Sequence, residues 1–349
     1  LAELALISGQ LEEASQLAER ATELGRASGR FDVVVSAGIT LLHARVRVGD
    51  ASPDSRAHAA QLSIEAQSVG GVAQQVISLD LHAALLSLSG DIEQAQVVCR
   101  QAQSLAESQP LVRLRARTQA RSAALLHLRG QHLDAAHAAQ SAAELARDAE
   151  DRTSHAAAMT VAGAALRALG RHDESLLALG HASTEAAMAG RRDLAAQAGF
   201  ALGDGYRALG HHRQARHCFA IGLQHAEAIA DRHLIGDITR GIAACVAAEG
   251  NPQAALQTLN RLRAFDDPVL SAVSSTDAAR VQLQLGAPKE ALVLSRLDAG
   301  VLNDAQRGDM LTVLGHALVA SGRVDEAAET LAAAVEAHER ARLLPERAT

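Results

Sequence analysis

Ala123-Ala124-Leu125-Leu126-His127-Leu128-Arg129-Gly130-Gln131-His132-Leu133-Asp134-Ala135 is a segment whose skeleton the chain repeats from end to end. A small residue comes first, a bulky apolar residue follows three positions on, a glycine four beyond that, and an alanine five after the glycine. The glycine recurs as Gly9, Gly49, Gly90, Gly130, Gly170, Gly210, Gly250, Gly286 and Gly322, at intervals of 40, 41, 40, 40, 40, 40, 36 and 36 residues. One period sustained over a whole chain marks a solenoid, because each unit can bury its apolar face only against its neighbours. A catalytic domain built round a single site has no cause to repeat in this way.

The flanking columns say how each unit folds. Five residues after the glycine stand Ala14, Ala95, Ala135, Ala215, Ala255, Ala291 and Ala327, with Ser175 as the exception. Seven residues before it stand Ala2, Ala83, Ala123, Gly163, Gly203, Ala243, Ala279 and Gly315, and only Leu42 is large. Small residues on both sides of a turn let two antiparallel helices cross closely. Leu86, Leu126, Leu166, Tyr206, Val246 and Leu318, four before the glycine, would plug the gap between the pair.

This pattern of small residue, bulky residue, turn glycine and alanine is similar to the tetratricopeptide (TPR) motif, and the similarity covers essentially the whole chain. The period exceeds the roughly 34 residues of the ordinary motif, and the motif's aromatics are nearly absent. Both departures resemble the longer-helix TPR variants of bacterial regulatory proteins. The expected fold is therefore an all-α, right-handed superhelical solenoid of about nine antiparallel helix-turn-helix repeats, one solenoid over residues 1–349. Each unit reads as helix A, a short turn at the glycine, helix B and a longer loop, so nine turns imply about eighteen helices.

Local punctuation agrees. Asn251-Pro252 and Ala287-Pro288 place prolines in the first turn of a helix, the former behind a capping asparagine. Ser28-Gly29-Arg30, Gly70-Gly71, Ser108-Gln109-Pro110, Gly190-Arg191 and Asp266-Asp267-Pro268 interrupt the pattern where B helices should end. The second unit breaks the rule: Ala51-Ser52-Pro53-Asp54 follows Gly49, which predicts a lengthened turn capped by Ser52, with the small position displaced to Ala57. The stretch from Asp298 to Asp304 reads as a wide connection, and curvature is expected to change near residue 265. A final helix is expected from Val324 through Ala341, where Leu331, Val335, Leu343 and Leu344 suggest an apolar stripe. The opening at Leu1 in mid-pattern and that stripe together suggest a fragment of a longer chain.

Alanine supplies 77 of the 349 residues, and Phe31, Phe200, Tyr206, Phe219 and Phe265 are the only aromatics, so packing must rely on leucine and close helix contacts. The formal charge of −7 is spread over both signs without a basic block, which argues against nucleic acid and an anionic membrane as partners. No apolar run approaches the roughly 20 residues of a membrane span. Cys99, Cys218 and Cys245 form no CxxC pair and read as reduced thiols of a cytoplasmic protein. The 32 arginines against the single Lys289 fit a GC-rich bacterial genome.

Candidate chemistry is sparse. His211, His212, His217 and Cys218 cluster in sequence but lack the i, i+4 spacing of a zinc helix, while His132, His172 and His212 share one repeat column and read as packing residues. Gly203, Gly205 and Gly210 mimic a nucleotide loop, yet Gly203 and Gly210 belong to repeat columns, and Lys289 stands in no phosphate loop. Neither GxSxG nor HExxH occurs. No catalytic residue, metal ligand or cofactor is expected.

The TPR resemblance implies that residues thirteen, ten, six, three and two before each glycine face the concave side. In the middle units these include Arg117, His127, Thr160, Arg167, Gln197, Phe200, Asp204, Arg207, Asp237, Arg240, Thr276 and Arg280. Planar arginine forks suit the carboxylates of a peptide terminus or of acidic side chains. Alternatively these arginines pair with Asp204 and Asp237 and only solvate the groove. The expected function is a non-enzymatic scaffold binding a peptide or protein on its concave face. The alternative is a regulatory arm of a larger bacterial signalling protein, a transcription regulator or cyclic-dinucleotide synthase. A homo-oligomer is compatible with either.

Overall fold

A computed structural model describes residues 1–263, 267–295 and 299–343, and the side chains of all of these except 7, 8, 299, 342 and 343. Among them, eighteen α-helices follow one another and no strand occurs. The first six are α1 (Ala2–Ser8), α2 (Leu11–Ala27), α3 (Phe31–Val48), α4 (Pro53–Val69), α5 (Val72–Leu88) and α6 (Ile92–Glu107). Then come α7 (Val112–Leu128), α8 (His132–Asp148), α9 (Arg152–Ala168), α10 (His172–Met188), α11 (Arg192–Ala208) and α12 (His212–Ala228). The last six are α13 (Arg232–Ala248), α14 (Pro252–Arg263), α15 (Pro268–Gln284), α16 (Pro288–Ser295), α17 (Asp304–Ala320) and α18 (Val324–Leu343).

All nine ladder glycines lie in the left-handed region, with φ between 70° and 87°. At Gly130 the turn closes with Gly130 N–H donating to His127 C=O and Gln131 N–H to Leu126 C=O, both at 3.0 Å, which satisfies the last carbonyls of the helix. A Cβ there would meet nothing within 4 Å, so backbone conformation and not crowding selects glycine.

From α7 to α13 the expected longer loop between units is absent. Every helix there has seventeen residues, and three residues separate each from the next. Two such helices and two such turns make the period of forty, so the excess over an ordinary repeat sits in helix length. The B-to-A turn uses the same closure: Asp151 N–H donates to Ala146 C=O at 2.8 Å, and Glu150 takes the left-handed position with φ 53°. Gly190 and Ala230 occupy that position in the next two units.

Both small columns are interior. The alanines at plus five are 0–1% exposed, and Ser175 joins them by donating its hydroxyl to the Gly163 carbonyl at 2.7 Å. A hydroxyl replaces a methyl there because an acceptor is within reach. Ser52 caps α4 as expected, accepting from Ser55 N–H at 3.3 Å. However, the small buried position is filled by Ser55 (1% exposed), one residue late, and not by Ala57, which is exposed. The inserted residue shifts the start of the helix by one, and Ser55 donates to Asp50 at 2.6 Å within the lengthened turn.

Pro252 and Pro288 open α14 and α16, and Asp267 caps α15 ahead of Pro268, accepting from Leu270 N–H at 2.9 Å. Asn303 caps α17. Residues 264–266 and 296–298, on which parts of the expected wide connection and of the expected change near 265 fall, lie outside the described residues. In α18 Leu331 packs against Gly315 of α17, whereas Val335 is 56% exposed. The expected stripe at Leu343 and Leu344 lies outside the described side chains.

The chain divides into two compact units, Leu1–Ala201 and Leu202–Thr349, the division falling inside α11. Within each, consecutive helices pack, and A helices also pack on the next A helix: α3 on α5, α5 on α7 and α7 on α9 in the first unit, α13 on α15 and α15 on α17 in the second. Alanine dominates the layer between helices, as in α8, where Ala135, Ala139, Ala142 and Ala146 are all fully buried. In the second unit one large ring does this work: Phe219, fully buried, lies between Gly203 and Gly241.

Candidate functional site

In the first unit the A-helix columns converge. Asp80, on α5, is 1% exposed, a burial that a carboxylate tolerates only when paired. Arg117 of α7 donates through Nε to its Oδ2 at 2.6 Å, and Arg121, one turn further on, through Nε to its Oδ1 at 3.4 Å. Burial alone would raise the Asp80 pKa, but the two guanidinium groups outweigh it and hold the carboxyl below its ordinary value.

Arg117 also reaches past α5 to α3, where its Nη2 donates to His43 Nε2 at 3.1 Å. Guanidinium has no acceptor, so His43 is the neutral Nδ1–H tautomer. Burial, and after it the positive field of Arg117, push the imidazole down to about 3. Near the C-terminal end of α3, Arg47 donates from Nη1 to the Leu6 carbonyl at 2.7 Å and places Nε 3.4 Å from Asp193 Oδ2 on α11. Arg191 grips Asp193 bidentately, at 2.9 and 2.6 Å. Burial raises the Asp193 pKa, and the Arg191 hydrogen bonds and charge outweigh it. With His43 neutral, four arginines face two aspartates in this cluster, in a chain whose net charge is −7.

The second unit carries a shallower version. Arg240 of α13 donates to Asp277 of α15 at 2.6 Å and to Asp237 on its own helix at 3.1 Å, and Arg280 donates to Asp277 at 2.7 Å. Arg207 pairs with Asp204 one turn earlier, at 3.0 and 2.5 Å. The solvating alternative thus describes Arg207, Arg240 and Arg280: each is neutralised by an aspartate on its own or the next A helix.

The remaining candidates scatter. Gln197 is exposed, Phe200 and Arg167 are half-buried, Thr160 and Thr276 turn their hydroxyls back onto Ala156 and Ala272 carbonyls of their own helices, and His127 contacts His132, Nδ1 to Nδ1 at 3.1 Å. Burial, then His132 and Arg167, lower the His127 pKa. His132 packs as its column suggests, whereas His172 is exposed. Among the described residues no group of three or more His, Cys, Asp or Glu side chains could hold a metal ion. Burial pushes the Cys99 thiol up to about 12, which removes it as a nucleophile beside the open 300 Å³ cavity lined by Gln96, Arg100 and Arg129.

Of the expected partner-binding residues, Arg117 is the one that the cluster contains. His43, Arg47 and Asp80 escaped the sequence reading although they stand at the same offsets, six and two before Gly49 and ten before Gly90. Extending the columns beyond the middle units would have found them. Arg121 lies one turn from Arg117, outside the columns, and no sequence signal marks Arg191 or Asp193.

No protein-family model matches the chain, and a search of curated proteins finds no relative. Solved structures do resemble it. The apo form of RapI is 12% identical with a TM-score of 0.60, over 98% of this chain and 96% of that one. A Rap protein complexed with competence and sporulation factor is 14% identical with a TM-score of 0.59, over 98% of both chains. NprR in complex with its cognate peptide NprX is 12% identical with a TM-score of 0.60, over 90% of this chain and 81% of that one, and apo NprR from B. thuringiensis matches equally well. At such identities the likeness shows the fold: a TPR-like, all-α helical-repeat solenoid. Among the described residues no helix is long and apolar enough to cross a membrane.

Proposed function

We propose that this chain is a bacterial cytoplasmic scaffold without catalytic activity, which binds a peptide or protein segment on the A-helix face of its first unit. One observation carries the reading: side chains of α3, α5, α7 and α11 form two neighbouring half-buried groups, round Asp80 and round Asp193, each with more arginine than aspartate. Packing of A helix on A helix supports it, because it lines these helices up side by side, where an extended ligand would touch several repeats. The solved structures of NprR with NprX and of a Rap protein with its factor give the reading a precedent on this fold.

Ala124 stands six residues before Gly130, in the column of His43, and is half-buried. Ala124→Trp would fill the inner face one helical turn beyond Arg121 while leaving every charged residue of the cluster in place. Retention of synthetic hexapeptide pools on the immobilised chain should fall at least tenfold with the melting temperature unchanged. Undiminished retention would place the site elsewhere.

A second reading, a regulatory arm of a larger signalling protein, is favoured by the likeness to a signal-transduction ATPase with a tetratricopeptide repeat sensor from Pyrococcus horikoshii. This chain matches 46% of that one, at 15% identity and a TM-score of 0.57. A reading frame that extends into an output domain would support it, and one that ends with the repeats would remove it.

A further inference from the structure

We propose that Arg117 and Arg121 form a preorganised seat for one carboxylate of the bound peptide, with Asp80 as the buried post that aims them. This deepens the peptide-binding reading and rests on it. Both arginines reach Asp80 through Nε, the edge of the guanidinium nearest the backbone. Arg117 spends Nη2 on His43 and keeps Nη1, whereas neither terminal nitrogen of Arg121 makes a hydrogen bond among the described residues.

The arginine side chains are 29% and 27% exposed, while the carboxylate beneath them is 1% exposed, so the face they offer is theirs alone. Two forks one helical turn apart, fixed from behind, lose little further side-chain freedom when a ligand arrives. Charge sets the ligand class. Two guanidinium groups, one aspartate and a neutral imidazole leave a single excess positive charge in a largely desolvated place, and one carboxylate balances it. In the second unit the equivalent arginines are each drawn onto exposed or half-buried aspartates of their own and neighbouring helices, which leaves no such excess.

The test uses the full chain, immobilised, and three hexapeptide pools: free C-terminus without Asp or Glu, C-terminal amide without Asp or Glu, and C-terminal amide containing Asp or Glu. The wild type should retain the first pool or the third at least tenfold over the neutral amide pool. Retention of the first identifies a chain terminus, and retention of the third an acidic side chain. Arg121→Met should abolish the preference. Arg121→Lys keeps the charge beside Asp80 but loses the fork, and should fold even if the methionine variant does not while still losing most of the preference. Equal retention of all three pools, or an unchanged preference in both variants, overturns the carboxylate seat and leaves peptide binding standing. No retention of any pool overturns peptide binding itself.

Discussion

Both units place arginine and aspartate on their A helices, yet they use them differently. In the first, one carboxylate on α5 sits under two arginines of α7, one of which reaches a histidine on α3, and a second joins α3 to α11. In the second, the pairs run along single helices or to the next one and stay near solvent, as with Arg280 at 50% and Asp237 at 49% exposure. The same residue types therefore carry different consequences, set by depth and by how many repeats a pair spans. A buried pair costs a great deal to break, whereas an exposed pair one turn apart stabilises by about 0.3–0.5 kcal/mol.

The sharpest way to break this comparison is to remove one carboxylate from each unit. Asp80→Asn strands two half-buried guanidinium groups and should cost about 3–5 kcal/mol, read as a lowered unfolding midpoint of the first unit. Asp277→Asn, in the second, should cost about 1 kcal/mol or less. Equal losses would erase the distinction.

Acid should separate the units next. His43 has an ordinary value near 6.5 when unfolded and about 3 when folded, so between those limits the unfolded chain binds a proton that the folded one refuses. Stability conferred by the neutral ring is thus complete above 6.5 and drains as the pH falls toward 3. Moving from pH 7 to 4.5 should remove about 2–3 kcal/mol from the first unit, and His43→Gln should flatten that slope. A histidine NMR titration would show the His43 ring staying neutral down to about pH 3. Asp80, held low by its arginines, loses its contribution only below the ordinary carboxylate range.

Packing gives a third contrast. A Cβ on Gly203 would stand 2.5 Å from the Phe219 ring, whose far side already meets Gly241, so the ring has nowhere to go. A Cβ on Gly163 would stand 2.5 Å from Leu179 Cγ, on an aliphatic chain that can change its rotamer more readily than a ring held on both sides. Gly203→Ala should cost about 2–3 kcal/mol and Gly163→Ala about 1 kcal/mol, compared by thermal melting. The smallest effect is a gain. Glu150 in the first unit and Ala230 in the second hold φ 53° without being glycine, and replacing either by glycine should stabilise by about 0.5 kcal/mol.

The architecture was legible because a left-handed turn needs glycine and a close helix crossing needs small residues, and both demands print themselves into the chain at a fixed interval. Turn lengths were less so: Glu150 and Ala230 do the work of Gly190 without its signature, which hid the second turn of each unit. The polar cluster was the least legible. Arg117 was within reach because it falls in a column, but its meeting with His43, two A helices away, depends on how successive repeats pack, which no single repeat encodes.

The bridge from Arg47 to Asp193 has a bearing on how the chain assembles. Nearly all other contacts in the first unit join neighbouring hairpins, so its repeats can fold locally and fast. This one joins α3 to α11, with seven helices between them along the chain. It can form only after the intervening hairpins have stacked, and fraying from either side releases it before the hairpins themselves melt. Nascent chain emerging from the ribosome would therefore hold Arg47 without its partner until α11 has been made, and the pair records the moment at which the first unit is complete.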